Sequence, residues 1–238
     1  MSYVRIVKTK YFYMMGSSSN VGKTTLCESL LSQLLFDGYQ PEQLAYIKPM
    51  TQCIEKQAVT VFCEKKHIAH QGIGGLVFTK GFTKDFIDGL TRTSDRLLKD
   101  ILVEISQISE NKEIVIIDGI GGPGTGSVVG VSNVDIARSL AAPVVFIGKP
   151  GIGSAIDDTV LAVNFMQQGG IKNIALIYNK IESSEFVSIK HYVSKRLAEL
   201  LPNVPVLDFI ANQTQLDDRT KYHPASKISQ WFNSQAFN

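Results

Sequence analysis

The sequence predicts an α/β fold, a doubly wound, mainly parallel sheet with helices on both faces. Three observations predict it. Apolar runs of strand length alternate with longer stretches whose apolar residues recur at helical spacing, from one end of the chain to the other. The run Ile114-Val115-Ile116-Ile117 is four consecutive β-branched residues closed by Asp118, as expected of a strand buried on both faces. The stretch Gly16-Ser17-Ser18-Ser19-Asn20-Val21-Gly22-Lys23-Thr24-Thr25 is a small-residue turn between an apolar run and a helical pattern, the context a phosphate-binding loop requires.

Taken in order, Val4 to Val7 and Tyr11 to Met15 are both extended candidates, and the second is the better strand because the loop must leave its end. A helix follows over Lys23 to Phe36 and stops at Asp37-Gly38, a usual C-terminal signal. Leu44 to Ile47 is a short strand ended by Lys48-Pro49, since proline cannot continue a central strand. Ala58 to Lys65 is a helix, Gly72 to Gly75 a turn, and Phe78 to Gly89 has no assigned structure. Thr93-Ser94 caps a helix over Asp95 to Ser106, whose Leu97, Leu98, Ile101, Leu102 and Ile105 share a face. Beyond the strand Glu113 to Asp118 come a glycine-rich loop (Gly119 to Ser127), a helix from Asn133 to Leu140 and a buried strand from Pro143 to Gly148. A helix over Ile156 to Gln168 closes at Gly169-Gly170. Ile174 to Tyr178 is a strand leading into Asn179-Lys180-Ile181-Glu182, Phe186 to Leu201 a helix, Val204 to Ile210 a final edge strand, and Ser226 to Phe232 a terminal helix. No linker or repeat interrupts this order, so residues 1–238 are expected to form a single nucleotide-binding domain with right-handed crossovers.

Composition narrows the setting. Of 238 residues, 44% are apolar and 19% charged, which suits a globular protein with a sizeable core. Net charge is +2 and no Lys/Arg cluster exceeds two residues, so no nucleic-acid footprint is expected. No apolar stretch reaches the roughly 18 residues that span a bilayer, and Met1 to Lys10 lacks the regions of a signal peptide. Cys27, Cys53 and Cys63 have no metal-type spacing and read as reduced thiols, with a cytoplasmic setting.

The chemistry sits where strands end. In the loop, backbone N–H groups from Ser19 to Thr25 would converge on phosphates at the start of a helix, Lys23 would reach the β- and γ-phosphates, and Thr24 would bind Mg²⁺. Five residues separate Gly16 from Gly22, one more than the strict pattern allows. Asp118 is the expected second metal partner, direct or through water. Lys48, closing its own strand, would neutralise a transferring phosphoryl group or hold an anionic substrate. Asn179 would read the base edge, with adenine favoured. The pattern Asn179-Lys180-Ile181-Glu182 differs from a guanine-reading Asn-Lys-x-Asp only in its last residue, so GTP stays open. His67, His70, His191 and His223 form no metal or triad spacing, and Asp157 and Asp158 suit a first helical turn.

These residues resemble dethiobiotin synthetase. The resemblance runs from about Phe12 to Asn212 through the spaced loop Val21-Gly22-Lys23-Thr24, Tyr46-Ile47-Lys48-Pro49, Asp118-Gly119-Ile120-Gly121-Gly122, Asn179 and Ile210-Ala211-Asn212. It implies a doubly wound fold, a homodimer, and ATP and Mg²⁺ as cofactors. It also implies a reaction in which a diamine is carboxylated to a carbamate that attacks the γ-phosphate before ring closure expels phosphate. Lys23 and Lys48 would then carry the catalysis, Thr24 and Asp118 the metal, and Ala211 and Asn212 would line the base beside Asn179. A small-molecule acceptor is the expected partner. The chain departs from the family in two places: Ser17 to Asn20 replace the acid-bearing interior of the loop, and only Glu55 offers a substitute for the family's acid after Lys-Pro. The same motifs occur in regulatory domains of long phosphate acetyltransferases, which keeps a nucleotide-binding module with little acceptor chemistry as the alternative.

Overall fold

The computed structural model describes residues 8–212 and 223–235. In chain order the elements are β1 (Lys10–Gly16), α1 (Lys23–Phe36), β2 (Leu44–Ile47), β3 (Met50–Thr51), α2 (Ala58–Lys66), β4 (Ala69–Gln71), β5 (Leu76–Val77), α3 (Phe82–Ile87), α4 (Ser94–Ile108), β6 (Ile114–Asp118), α5 (Asn133–Ser139), β7 (Val144–Gly148), α6 (Gly153–Gln168), β8 (Ile174–Ile181), α7 (Phe186–Leu200), β9 (Val206–Ala211) and α8 (His223–Asn233). The expected strand over Val4 to Val7 lies outside the described residues.

Seven strands form one sheet in the order β4-β2-β6-β1-β7-β8-β9, and every pairing between them is parallel. Successive strand residues point to opposite faces, so each central strand feeds two cores. Tyr13, Met15, Val115, Ile117, Val144 and Phe146 pack on one side with Leu97 and Ile101 of α4, Val163 of α6 and Val193 of α7. Phe12, Met14, Ile114, Ile116, Val145 and Ile147 pack on the other with Leu30, Leu31 and Leu34 of α1, Val59 of α2 and Phe232 of α8. This two-sided burial is why these strands are continuous apolar runs rather than alternating ones.

Several local expectations shift. Thr93 occupies the cap position of α4, but its side chain makes no cap hydrogen bond. The stretch without an assignment contains the short helix α3, whose Phe82 and Phe86 lean on the core. The edge strand opposite β9 is β4, three half-buried residues with no apolar run to announce it. Met50–Thr51 pairs with Leu76–Val77 as a separate two-stranded sheet. Finally, β8 runs on through Asn179 and Lys180 to Ile181. No helix among the described residues is long and apolar enough to cross a membrane.

Candidate phosphate-binding site

The chain builds outward from β1 to β2 and β4, returns to lay β6 beside β1, then crosses to β7 on the other side. Such a reversal opens a crevice at the carboxyl ends of the strands. The turn after β1 fills it. Ser17 N–H donates to the Ile147 carbonyl of β7 at 2.9 Å, and Gly119 N–H donates to Met14 of β1 at 2.9 Å, so the loops after β1 and β6 are stitched to their neighbours.

The turn is tight enough to specify its glycines. A Cβ on Gly16 would lie 2.5 Å from Val21 Cγ2, and one on Gly22 would lie 2.3 Å from Asn179 Nδ2. Gly22 caps α1 with φ 98°, a left-handed conformation that glycine alone adopts without penalty. Asn20 also has positive φ, at 63°. Among the described residues, the N–H groups of Ser18 to Gly22 donate to no protein acceptor, so a row of free donors leads into the N-terminus of α1. Free N–H groups at a helix start form an anion site. Lys23 folds back over the turn, Nζ donating to Ser18 O at 2.8 Å. Burial lowers the Lys23 pKa, Asp118 partly restores it, and neighbouring Lys48 lowers it again.

Asp118 closes β6 wholly buried. Its Oδ2 accepts from Thr24 Oγ1 at 2.7 Å, from the Tyr46 hydroxyl at 2.9 Å and from Lys48 Nζ at 3.3 Å. Its Oδ1 is buried with no hydrogen-bond partner among the described residues, a costly condition for an ionised carboxylate. That orphaned oxygen beside the Thr24 hydroxyl suits a hard divalent cation. No three His, Cys, Asp or Glu side chains cluster among the described residues, and Mg²⁺ needs no such cluster, because it takes one or two protein oxygens and completes its shell with phosphate and water. The residues present therefore fit Mg²⁺.

Burial and Asp118 together raise the Tyr46 pKa well above the ordinary tyrosine value, which keeps that hydroxyl a donor. Lys48 Nζ also donates to Gln57 Oε1 at 3.2 Å, at the start of α2. The loop after β6 is shaped by Asn133, the first residue of α5: its Nδ2 donates to Ile120 O and Gly122 O at 2.6 Å each, and its Oδ1 accepts from Tyr13 at 2.9 Å.

A cavity of about 570 Å³ opens over these groups. Ser19, Asn20, Gly22, Lys23, Thr24, Thr25 and Lys48 line it, as do Thr51, Gln52, Cys53 and Gln57 from the segment after β2, Gly119 to Gly121, and Lys180. Val21 is buried, with its carbonyl accepting from Asn179 Nδ2 at 2.8 Å. Asn179 lies within β8 two residues before its end, Ala211 ends β9 and Asn212 follows it; all three are outside the cavity lining, and Asn212 Nδ2 donates to Glu182 Oε1 at 2.6 Å. Glu55 is exposed and away from the lining; Gln57 is the residue of that segment that meets Lys48. His67 ends α2, His70 lies in β4, and Lys149 is tied to Asp158 at 2.6 Å, so none of these joins the cavity. Tyr46, Gln57, Asn133 and Lys180 were given no role at the site by the sequence. Tyr46 and Lys180 fell only inside longer matches, the Tyr-Lys-Pro-like segment and the Asn-Lys-x-Glu run.

The model of a family described as an AAA domain matches residues 10–220. The dethiobiotin synthetase of Clostridium perfringens, described as ATP-dependent, is 21% identical over 222 residues, covering 90% of this chain and 94% of that one. Among solved structures, a chain of the MinC:MinD cell division protein complex of Aquifex aeolicus superposes with TM-score 0.59 at 13% identity, covering 97% of this chain and 98% of that one. A plasmid partition protein from Borrelia burgdorferi gives TM-score 0.56 at 16% identity over 94% and 98%. The two structural likenesses concern the fold.

Proposed function

The chain belongs to the AAA domain family, as a P-loop NTPase of the dethiobiotin synthetase-like kind, and from that premise we propose that it is an ATP- and Mg²⁺-dependent enzyme that phosphorylates or ligates a small carboxylate or carbamate acceptor. The observation that carries the reading is the position of Lys48. This buried cation lies on the metal-type carboxylate Asp118 and also lines a cavity that continues past the phosphate loop to Thr51, Cys53 and Gln57. A cavity of about 570 Å³ falls in the range of small-ligand and cofactor sites.

In this reading the donors from Ser19 to Thr25 and the Lys23 ammonium bind the phosphates, and α1 adds its positive end. Thr24 Oγ1 and Asp118 Oδ1 would hold Mg²⁺, which when bound neutralises charge on the β- and γ-phosphates. Tyr46 and Lys48 fix the other Asp118 oxygen, so the free one keeps its place. Lys48, already desolvated, stabilises negative charge as it develops on the transferred group or on the acceptor. Asn179 keeps a second N–H and a second lone pair beyond its bonds to Val21 O and Lys180 N–H, which supports adenine at the base position. A homodimer is part of the proposal.

ATP turnover measured with and without diaminononanoate plus bicarbonate tests the named reaction. Stimulation by that pair supports dethiobiotin synthesis, and stimulation by other small carboxylates supports a different acceptor on the same chemistry. ATP binding without turnover across an acceptor screen favours a regulatory module, the reading suited by a loop interior of three serines and Asn20 where carboxylates are expected. Competition between ATP and GTP decides the base.

A further inference from the structure

Two consecutive residues of β8 hold two consecutive peptides of the phosphate loop. Asn179 Nδ2 donates to Val21 O at 2.8 Å, and Lys180 Nζ donates to Asn20 O at 2.6 Å. An ordinary strand cannot do this, because neighbouring side chains leave it on opposite faces. A bulge makes it work. Tyr178 pairs with Phe209, and pairing resumes at Ile181 with Ala211, so Asn179 and Lys180 oppose the single residue Ile210. Lys180 takes a left-handed φ of 60°, and the Asn179 side chain stabilises it by accepting from Lys180 N–H at 2.8 Å. Bulges re-aim side chains in this way beside functional sites.

The peptide plane carries the consequence across the loop. In a trans peptide the carbonyl of one residue and the N–H of the next point in opposite directions, and the described chain has no cis peptide. Drawing the Asn20 carbonyl toward Lys180 turns Val21 N–H away from β8, and drawing the Val21 carbonyl toward Asn179 does the same for Gly22 N–H. Both are among the donors left without a protein acceptor. Asn20 takes a left-handed φ of 63°, a conformation asparagine tolerates better than most residues.

We infer that Lys180 is a positioning residue for phosphate binding: with Asn179 it sets the two loop peptides so that their N–H groups face the phosphates. The inference rests on the nucleotide-site reading and adds to it that Lys180 acts on the polyphosphate end rather than on the nucleoside.

The test is calorimetric titration of the wild-type chain, Lys180→Met and Lys180→Arg with ADP and with inorganic tripolyphosphate, in low salt and in about 0.5 M NaCl, where charges act only over a few ångströms. Methionine keeps the apolar stem and removes the donor. The expected result is a loss of about tenfold for both ligands in Lys180→Met, persisting at high salt, with most of it recovered in Lys180→Arg and an unchanged melting temperature. Four results would overturn the inference: tripolyphosphate affinity equal to wild type, a loss confined to ADP, a loss that vanishes in high salt, or a loss explained by a lowered melting temperature. If the wild-type chain binds neither ligand, the nucleotide-site reading itself fails and takes the inference with it.

Discussion

Thr24 and Asp118 stand 94 residues apart in the chain and 2.7 Å apart in space, the threonine hydroxyl donating to Oδ2 of the aspartate. This one contact ties the first turn of α1 to the end of β6. The same carboxylate oxygen takes the Tyr46 hydroxyl and the Lys48 ammonium, while the other oxygen has no hydrogen-bond partner among the described residues.

Replacing Asp118 by Asn leaves Lys48, only 8% exposed, without its counter-charge. Breaking a buried pair from one side typically costs about 3–5 kcal/mol. Urea unfolding of Asp118→Asn is expected to show a loss of about 3 kcal/mol. Nucleotide titrations should lose their dependence on Mg²⁺ while keeping the Mg²⁺-free affinity. Undiminished Mg²⁺ dependence would remove Asp118 from the metal site.

Tyr46→Phe removes one donor from the cluster and keeps the ring packing. A loss of about 1 kcal/mol is expected at neutral pH. The pH dependence has a definite sign. The Tyr46 pKa is raised in the folded chain, so its contribution is complete below the ordinary value of about 10 and is lost as pH rises above it. Unfolding free energy followed from pH 8 upward should therefore fall less steeply in Tyr46→Phe than in wild type.

Lys23 is shifted the other way, chiefly by burial. A bound polyphosphate favours its charged form and raises that pKa again. Binding should take up a proton in the window between the depressed pKa of the free chain and the value in the complex. Titrations in two buffers of different ionisation enthalpy should reveal this uptake on the alkaline side, and Lys23→Arg should abolish it.

Gly22→Ala places a Cβ where Asn179 Nδ2 lies 2.3 Å away and forces alanine into positive φ. The backbone strain alone is worth about 1–2 kcal/mol. The same change at Gly153, where nothing lies within 4 Å and φ is not left-handed, is the control. Thermal melts and nucleotide titrations should show Gly22→Ala losing both stability and affinity and Gly153→Ala losing neither.

Much of the fold was legible because burial writes itself into local pattern. Ile114 to Ile117 had to be apolar at every position, since the sheet is covered on both sides, and no alternating sequence serves there. The loop was legible because its phosphate chemistry needs small residues before Lys23 at one fixed place. What stayed hidden was short or relational. β4 has three half-buried residues and no apolar run, and β3 and β5 have two residues each, so no periodicity exists to be read. Tyr46 looked like strand core, and it is core; its hydroxyl matters because Leu44–Ile47 pairs directly with β6 and brings it to Asp118. Asn133 looked like a helix start, yet its amide shapes the loop after β6.

By itself the sequence determined the doubly wound class, the phosphate loop, and the placing of Lys48 and Asp118 at strand ends, because each depends on residues close together in the chain; Asn179, expected to end its strand, lies inside β8. Only the tertiary structure decided that, among the described residues, three donors share Oδ2 of Asp118 and leave Oδ1 bare, that Gln57 rather than Glu55 meets Lys48, and that Lys180 reaches Asn20 across 160 residues. Those outcomes turn on strand order and on a bulge of one residue, and no local pattern records which strand will lie beside which.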